Sequence, residues 1–235
     1  MAKTPIWKSI AATLSNEIAV GHYSPGDKLP TEAQLASRFS VNRHTVRRAL
    51  QDMQEQGLTQ SRRGAGVFVM AEPTEYPIGR RVRFHQNIAA AGRSADKRLL
   101  SLQTRPCDSE EAEALDLTKG DPVHVYEGVS LADTVPIAVS RSVFPGARFP
   151  HLIEGLEQHA SVTKALAAAG VRDYTRSVTR MTAVLATATQ ATQLNISEGA
   201  PILRTISVNV DLEGLPVEFG YTWWVGDRMT LVLED

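Results

Sequence analysis

The segment from Thr31 to Val69 constrains this chain more than any other. Thr31, with Gln34 three residues on, is a capping box that opens TEAQLASRF, where Leu35 and Phe39 form the buried pair. Ser40 and Val41 make a short turn. Asn42, a strong N-cap, then opens RHTVRRALQDMQEQ, which Gly57 closes at the C′ position. Ahead of this pair, Ile6, Ile10, Leu14 and Ile18 recur every fourth residue between Pro5 and Gly21, the stripe of an earlier helix. Behind it, LTQSR and GVFV read as two short strands joined by a tight RRGAG tip. Two capped helices across so short a turn read as a helix-turn-helix, and the hairpin as its wing.

On a helical wheel, Val46, Ala49, Leu50 and Met53 share one arc, while Arg43, His44, Arg47, Arg48 and Gln51 take the opposite one. Arginine suits bidentate contact to guanine and to phosphate, and Gln can read adenine. The helix start at Asn42, Arg43 and His44 adds free N–H groups and partial positive charge. In the wing, Arg62 and Arg63 precede Gly64-x-Gly66. A glycine tip admits close approach to phosphate or a narrow minor groove, to which arginines are drawn. Read alone, the tip is equally a polar hairpin loop. Charge agrees with a polyanion partner at this end. Residues 1–70 hold nine Lys or Arg against five Asp or Glu, and the remainder 16 against 21, so the net −1 conceals a basic head on an acidic body.

LPTEAQLASRFSVNRHTVRRALQDMQEQGLTQSRRGAGVFV resembles the winged-helix head of the GntR regulators, in particular the HutC subfamily. VNRHTVRRA, with RFHQN beyond the winged-helix segment, resembles the PhnF-type subgroup of that family, regulators of phosphonate utilisation. The resemblance implies DNA contacts from the recognition-helix start and the wing tip, which by position are Arg43, His44, Thr45, Arg47, Arg63 and Gly64. Thr31 and Asn42 at the helix starts and Arg62 in the wing complete the candidate set. Many relatives carry arginine where this chain has Ala33. A single winged helix spans too few base pairs for discrimination, so a homodimer on a pseudo-palindromic double-stranded operator is expected.

The expected organisation is a winged helix-turn-helix over 1–70, a linker over 71–79 (AEPTEYPIG, with two prolines) and an α+β domain over 80–235. In the last, KRLLSLQTR, PVHVYEGVSL, PIAVSRSVF, YTRSVTRMTAVLA, PILRTISVNV and LPVEFGYTWW alternate as strands, and SEEAEALDL, SVTKALAAAG and TATQATQLNI read as helices. Leu115-x-Leu117-x-x-Gly120-x-Pro122-Val123 returns 79 residues later as Leu194-x-Ile196-x-x-Gly199-x-Pro201-Ile202. Either this is an internal repeat whose two hairpins share one sheet, or it is punctuation that helix–turn–hairpin units commonly reach.

The resemblance implies that this region is a UTRA domain, an antiparallel-sheet fold shared with chorismate lyase, which senses small and often anionic molecules and mediates dimerisation. Where relatives often carry Arg-x-Arg, this chain has Gly128-Val129-Ser130, and Ser140 stands where a glutamate is usual. Sugar-phosphate chemistry is therefore not carried over. The remaining ligand candidates are Arg83, Phe84 and Asn87 at the domain's start, Ser161 at a helix start, Arg141 and Arg204 within strands, and Glu218 and Tyr221 on the last long strand. Ser161 reads equally as an anion-binding hydroxyl or a plain N-cap.

Other functions are poorly supplied. The six histidines are scattered, and no HExxH, GxSxG or GxxxxGK[ST] pattern occurs. The single cysteine, Cys107, excludes an intrachain disulfide and a multi-cysteine zinc site. No metal, cofactor or enzymatic activity is expected. The rival readings are a chorismate-lyase-like enzyme on a DNA-binding head and a DNA binder without ligand. MAKTPIWKSI has no apolar signal core, and no apolar run reaches the roughly 18 residues of a membrane span, so a cytoplasmic protein is expected.

Overall fold

The computed structural model describes residues 5–62, 66–70, 73–159 and 161–233, without the side chain of Arg62. Arg63, Gly64 and the Arg62 side chain thus lie outside the described residues. The chain divides into two compact units, Met1–Glu72 and Pro73–Asp235.

The first unit runs α1 (Ile6–Ala19), α2 (Glu32–Phe39), α3 (Arg43–Glu55), β1 (Thr59–Arg62) and β2 (Gly66–Val69). Both expected caps form. Gln34 N donates to Thr31 Oγ1 at 3.3 Å while Thr31 N donates to Gln34 Oε1 at 2.8 Å. Asn42 Oδ1 accepts from Thr45 N at 2.9 Å and from the Thr45 hydroxyl at 3.0 Å. Ser40 at φ 52° takes the left-handed turn that separates α2 from α3. Ile10 and Leu14 of α1 pack with Leu35 of α2 and with Val46, Ala49, Leu50 and Met53 of α3. Ile6, at the head of the α1 stripe, stays 62% exposed.

The second unit contains β3 (Thr74–Pro77), α4 (Phe84–Ala90), β4 (Ala95–Pro106), α5 (Ser109–Leu115), β5 (Pro122–Ala132), β6 (Val135–Pro145), α6 (Leu152–His159), α7 (Val162–Ala168), β7 (Tyr174–Leu185), α8 (Ala188–Leu194), β8 (Pro201–Asp211), β9 (Pro216–Val225) and β10 (Met229–Val232). Six strands form one antiparallel sheet in the order β4-β5-β6-β9-β8-β7. The 71–79 stretch differs from the expected linker. Thr74, Tyr76 and Ile78 are buried on alternate positions, and residues 74–77 pair in parallel with β10. The alternation binds this segment to the second unit, and the prolines obscured it. Pro77 sits at the end of the ladder, opposite Val232, where a missing N–H is tolerated.

The internal repeat is structural. Moved by 79 residues, β4 falls on β7, α5 on α8 and β5 on β8 with identical bounds. Both helices start with a capping box, Asp108 with Glu111 and Thr187 with Gln190, and both end in left-handed residues, Asp116 and Asn195. Each half is strand, helix, hairpin. The two hairpins meet at β6 and β9 in the middle of the sheet, which makes the strand order a pseudo-two-fold.

The two sheet faces have different coverings. On one, Val123, Val125, Val143 and Phe219 pack under Ala112 and Leu115 of α5, and Val129, Val139 and Val225 pack with Leu194 of α8. On the other, large side chains gather at two places. Tyr126 and Phe144 meet α6 and α7, while Trp224 meets Tyr76 and Ile78 of the β3 segment and Ile88 of α4. Between these clusters the strand residues are small and polar, which leaves a hollow.

Candidate functional site

In the first unit, α3 buries its apolar arc and exposes Arg43, His44, Arg47, Arg48 and Gln51. These residues are not equally free. Arg47 forms a bidentate pair with Glu32 at the start of α2, with Nε to Oε1 at 2.9 Å and Nη2 to Oε2 at 2.7 Å. Those hydrogen bonds outweigh desolvation and hold the Glu32 carboxyl below the usual carboxylate range. The Arg48 guanidinium lies 4.7 Å from the Trp7 ring centre. The side chains of Arg43 and His44, in the first turn, make no hydrogen bond or ion pair among the described residues. They stand beside the free N–H groups of the helix start, where a phosphate or base edge is best met. Thr31, Asn42 and Thr45 spend their hydroxyl or amide oxygens on the caps described above. Behind the wing tip, Gly66 has φ +117°, and a Cβ there would come within 2.7 Å of Lys28 Cε. A side chain at 66 would be strained and would push Lys28 aside.

In the second unit, the hollow is a cavity of about 90 Å³. Its floor follows from strand alternation. Lys97 stands opposite Ser130, Ser140 opposite Gly128 and Thr222, Ser142 opposite Gly220, and Asn209 opposite both Glu218 and Arg176. Phe84 and His85 of α4, the Ser161–Thr163 segment, Tyr76 and Tyr174 supply the walls. Gly128 has a steric reason to lack a side chain. A Cβ there would lie 2.7 Å from the Tyr126 hydroxyl, so the glycine lets that ring lie over the strand.

Of the eight ligand candidates, Phe84, Ser161 and Glu218 line this cavity. Ser161 lines the cavity and is also the N-cap of α7, its Oγ accepting from Lys164 N at 3.4 Å. Arg83 borders an adjoining groove that shares His85, Ser161 and Thr163 with the cavity. Its Nη2 donates to Asp173 Oδ1 at 2.9 Å and to the Tyr174 carbonyl at 2.8 Å, and its guanidinium lies 3.7 Å from the Tyr174 ring centre. Asn87 donates to the Pro77 carbonyl at 3.0 Å, tying α4 to β3.

Arg141, Tyr221 and Arg204 are not brought to the cavity. Arg141 and Tyr221 are register partners one position out of phase with the floor, and Arg141 reaches Glu111 of α5 at 2.8 Å. Arg204 is likewise out of phase with Thr205, and its Nε is buried without a hydrogen-bond partner among the described residues. A one-residue step along a strand changes the face, which is why these three and the floor residues part company.

The cavity's cations are residues that inspection of single strands overlooks. Lys97 and Arg176 stand on β4 and β7, the two outer strands of the sheet. In a flat sheet these strands would be about 24 Å apart, so the sheet is curled toward the cavity. Burial lowers the Lys97 ammonium from its ordinary value, opposed by the charge of Glu218. Burial acts in the same direction on Arg176 and, with the nearby Lys97 and Lys164 charges, on His85. It pushes the Tyr126 phenol up to about 12. The repeat supplies the signal that would have found the cations, because Lys97 moved by 79 residues is Arg176.

A winged helix-turn-helix with an exposed basic recognition helix, joined in one chain to a curled-sheet unit with a small polar cavity, is the architecture of a ligand-responsive transcriptional regulator. The family model of the bacterial regulatory proteins of the gntR family matches residues 7–69, and that of the UTRA domain matches residues 90–230. The chain belongs to the gntR family and carries a UTRA domain. It is a DNA-binding transcriptional regulator rather than an enzyme. It is 38% identical to an HTH-type transcriptional regulator of Rhizobium meliloti, across 97% of this chain and 94% of the relative. It is 31% identical, with the same coverage of each, to the probable transcriptional regulator PhnF of Escherichia coli. Among solved structures it resembles PhnF from Mycobacterium smegmatis, with a TM-score of 0.68, 27% identity, and 96% of this chain and 98% of that one covered.

Proposed function

We propose that this regulator is a cytoplasmic homodimer that represses transcription from a pseudo-palindromic operator and releases DNA when a small anion enters the cavity of the second unit. The operator contacts would come from Arg43, His44, Thr45 and Arg47 of the recognition helix and from Arg62, Arg63 and Gly64 of the wing. The observation that carries the ligand half is a half-buried Lys97 that lines the cavity with no carboxylate within 4.0 Å among the described residues. A cation drawn out of water without a counter-ion is costly, and an incoming anion relieves that cost. The likeness to PhnF regulators makes phosphonates and phosphate esters the first class to try.

Linkage tests the coupling. An anion that lowers operator affinity by about 5–150-fold, the usual 1–3 kcal/mol range, must itself bind less tightly to the operator complex by the same factor. Calorimetric titration of the anion with and without operator DNA measures both. Equal anion affinity in the two titrations would end the proposal, even for a tight ligand.

A further inference from the structure

The two-fold repeat places a cation at each edge of the cavity but an acid on one side only. Lys97 and Arg176 are equivalent positions, and so are Ser130 and Asn209. The second hairpin is one residue longer before its return strand, so Pro136 answers to Pro216 and Ala138 answers to Glu218. Ala138 is fully buried in the core.

The two halves therefore differ in charge. On the Arg176 side, Glu218 is 9% exposed. Its carboxylate accepts from the Ser142 hydroxyl at 2.6 Å and from Asn209 Nδ2 at 2.6 Å, both neutral donors. Asn209 Oδ1 accepts from Arg176 Nε at 3.3 Å, so an amide separates the acid from the guanidinium. No cation comes within 4.0 Å of Glu218 among the described residues. On the other side, the Lys97 ammonium faces the rings of Phe84 and Tyr126, whose centres are 5.2 and 5.6 Å away. Its ladder neighbour Ser130 and nearby Ser140 offer hydroxyls. A buried anion and a half-buried cation, neither with an ion-pair partner within 4.0 Å among the described residues, thus face one small cavity without closing on each other. A simple anion would satisfy Lys97 and be repelled by Glu218.

We propose that the effector is a compact zwitterion, bound with its anionic group at Lys97, Ser130 and Ser140 and its ammonium at Glu218. The inference rests on the cavity being the effector site. The Glu218/Ala138 difference fixes the polarity of the bound molecule, because only one half of the pseudo-two-fold offers an acid. A molecule with both charges completes two incomplete sites at once, which a monoanion of the same size cannot do.

Matched pairs of acids differing by one ammonium test this on the full chain by calorimetry. Suitable pairs are β-alanine with propionate, taurine with ethanesulfonate, and 2-aminoethylphosphonate with ethylphosphonate. The expected result is one pair or more in which the amine binds at least about tenfold more tightly. In Glu218→Gln, which keeps both neutral hydrogen-bonding neighbours, that gap should close. In Lys97→Met, both members should weaken. If in none of the pairs the amine binds better than its partner in the unaltered chain, the zwitterion is overturned while anion sensing stays intact, and no variant is needed. A gap that survives in a folded Glu218→Gln, judged by its melting and its operator affinity, also overturns it. If none of the six binds at millimolar concentration, both the zwitterion and the anion-sensing cavity fail.

Discussion

Arg43 and Arg47 illustrate how two arginines on one helix face acquire different tasks. The Arg43 side chain makes no hydrogen bond or ion pair among the described residues, whereas Arg47 is held bidentate by Glu32. Arg43→Ala is therefore expected to cost about 1–3 kcal/mol on the operator and to relax one base position per half-site. A binding assay at fixed salt against single-base variants of the operator checks it, and an unchanged preference would remove Arg43 from base readout. Arg47 is predicted to be partly restrained. Glu32→Gln releases it and deletes a negative charge beside the recognition helix. DNA binding should tighten, and the slope of log K against log salt should steepen by about one unit. An unaltered slope would mean that the pair does not compete with phosphate. Fold stability should move little, since both partners are substantially solvated.

At the scale of elements, the caps and the wing carry separable predictions. Replacing both Arg62 and Arg63 by Ala should weaken specific and nonspecific DNA binding together and flatten the salt slope by about one to two units. A loss confined to the operator would instead assign base readout to the wing. The junction of α5 with the sheet is held by Glu111, which is 1% exposed and takes Arg105 at 2.8 and 2.6 Å and Arg141 at 2.8 Å. Burial opposes its charge, but Arg105, the Asp108 N–H and Arg141 together hold the carboxyl below its ordinary value. The folded value is depressed, so this stabilisation is present above about pH 4.3, the ordinary glutamate value, and is lost as pH falls through the lower folded value. Glu111→Gln should cost up to about 3 kcal/mol at neutral pH, tempered by the partial exposure of both arginines. Urea unfolding should show this difference shrinking in acid, and a constant difference across that range would contradict the assignment.

For the whole molecule, the proposal of a homodimer has a direct readout. Two winged helices on one operator must present their recognition helices about 34–36 Å apart, one turn of DNA, or a multiple of it. Light scattering should give twice the 25.6 kDa chain mass. A mass that stays at one chain across micromolar concentrations, free and on DNA, would require a different mode of discrimination. No helix among the described residues is long and apolar enough to cross a membrane.

Local chemistry made the first unit legible in advance. Its caps, turn, core arc and exposed basic arc are relations between residues within a few positions of each other, and short-range rules govern them. The six strands of the large sheet and three of the five helices of the second unit were legible for the same reason. The 79-residue echo was visible too, but whether it meant one sheet or mere punctuation depended on strand pairing across the two halves. Only the tertiary structure decided which face of each strand turns inward. That choice sends Glu218 into the cavity and Arg141, Arg204 and Tyr221 away from it, because alternation assigns residues to two faces without saying which face is hollow. It also assigned residues 74–77 to a sheet, since a parallel pairing with β10, some 150 residues on, leaves no local trace beyond alternation. The site's charges were the least legible part. Lys97 and Arg176 lie on opposite edges of the sheet, and only its curl brings them to one cavity with Glu218.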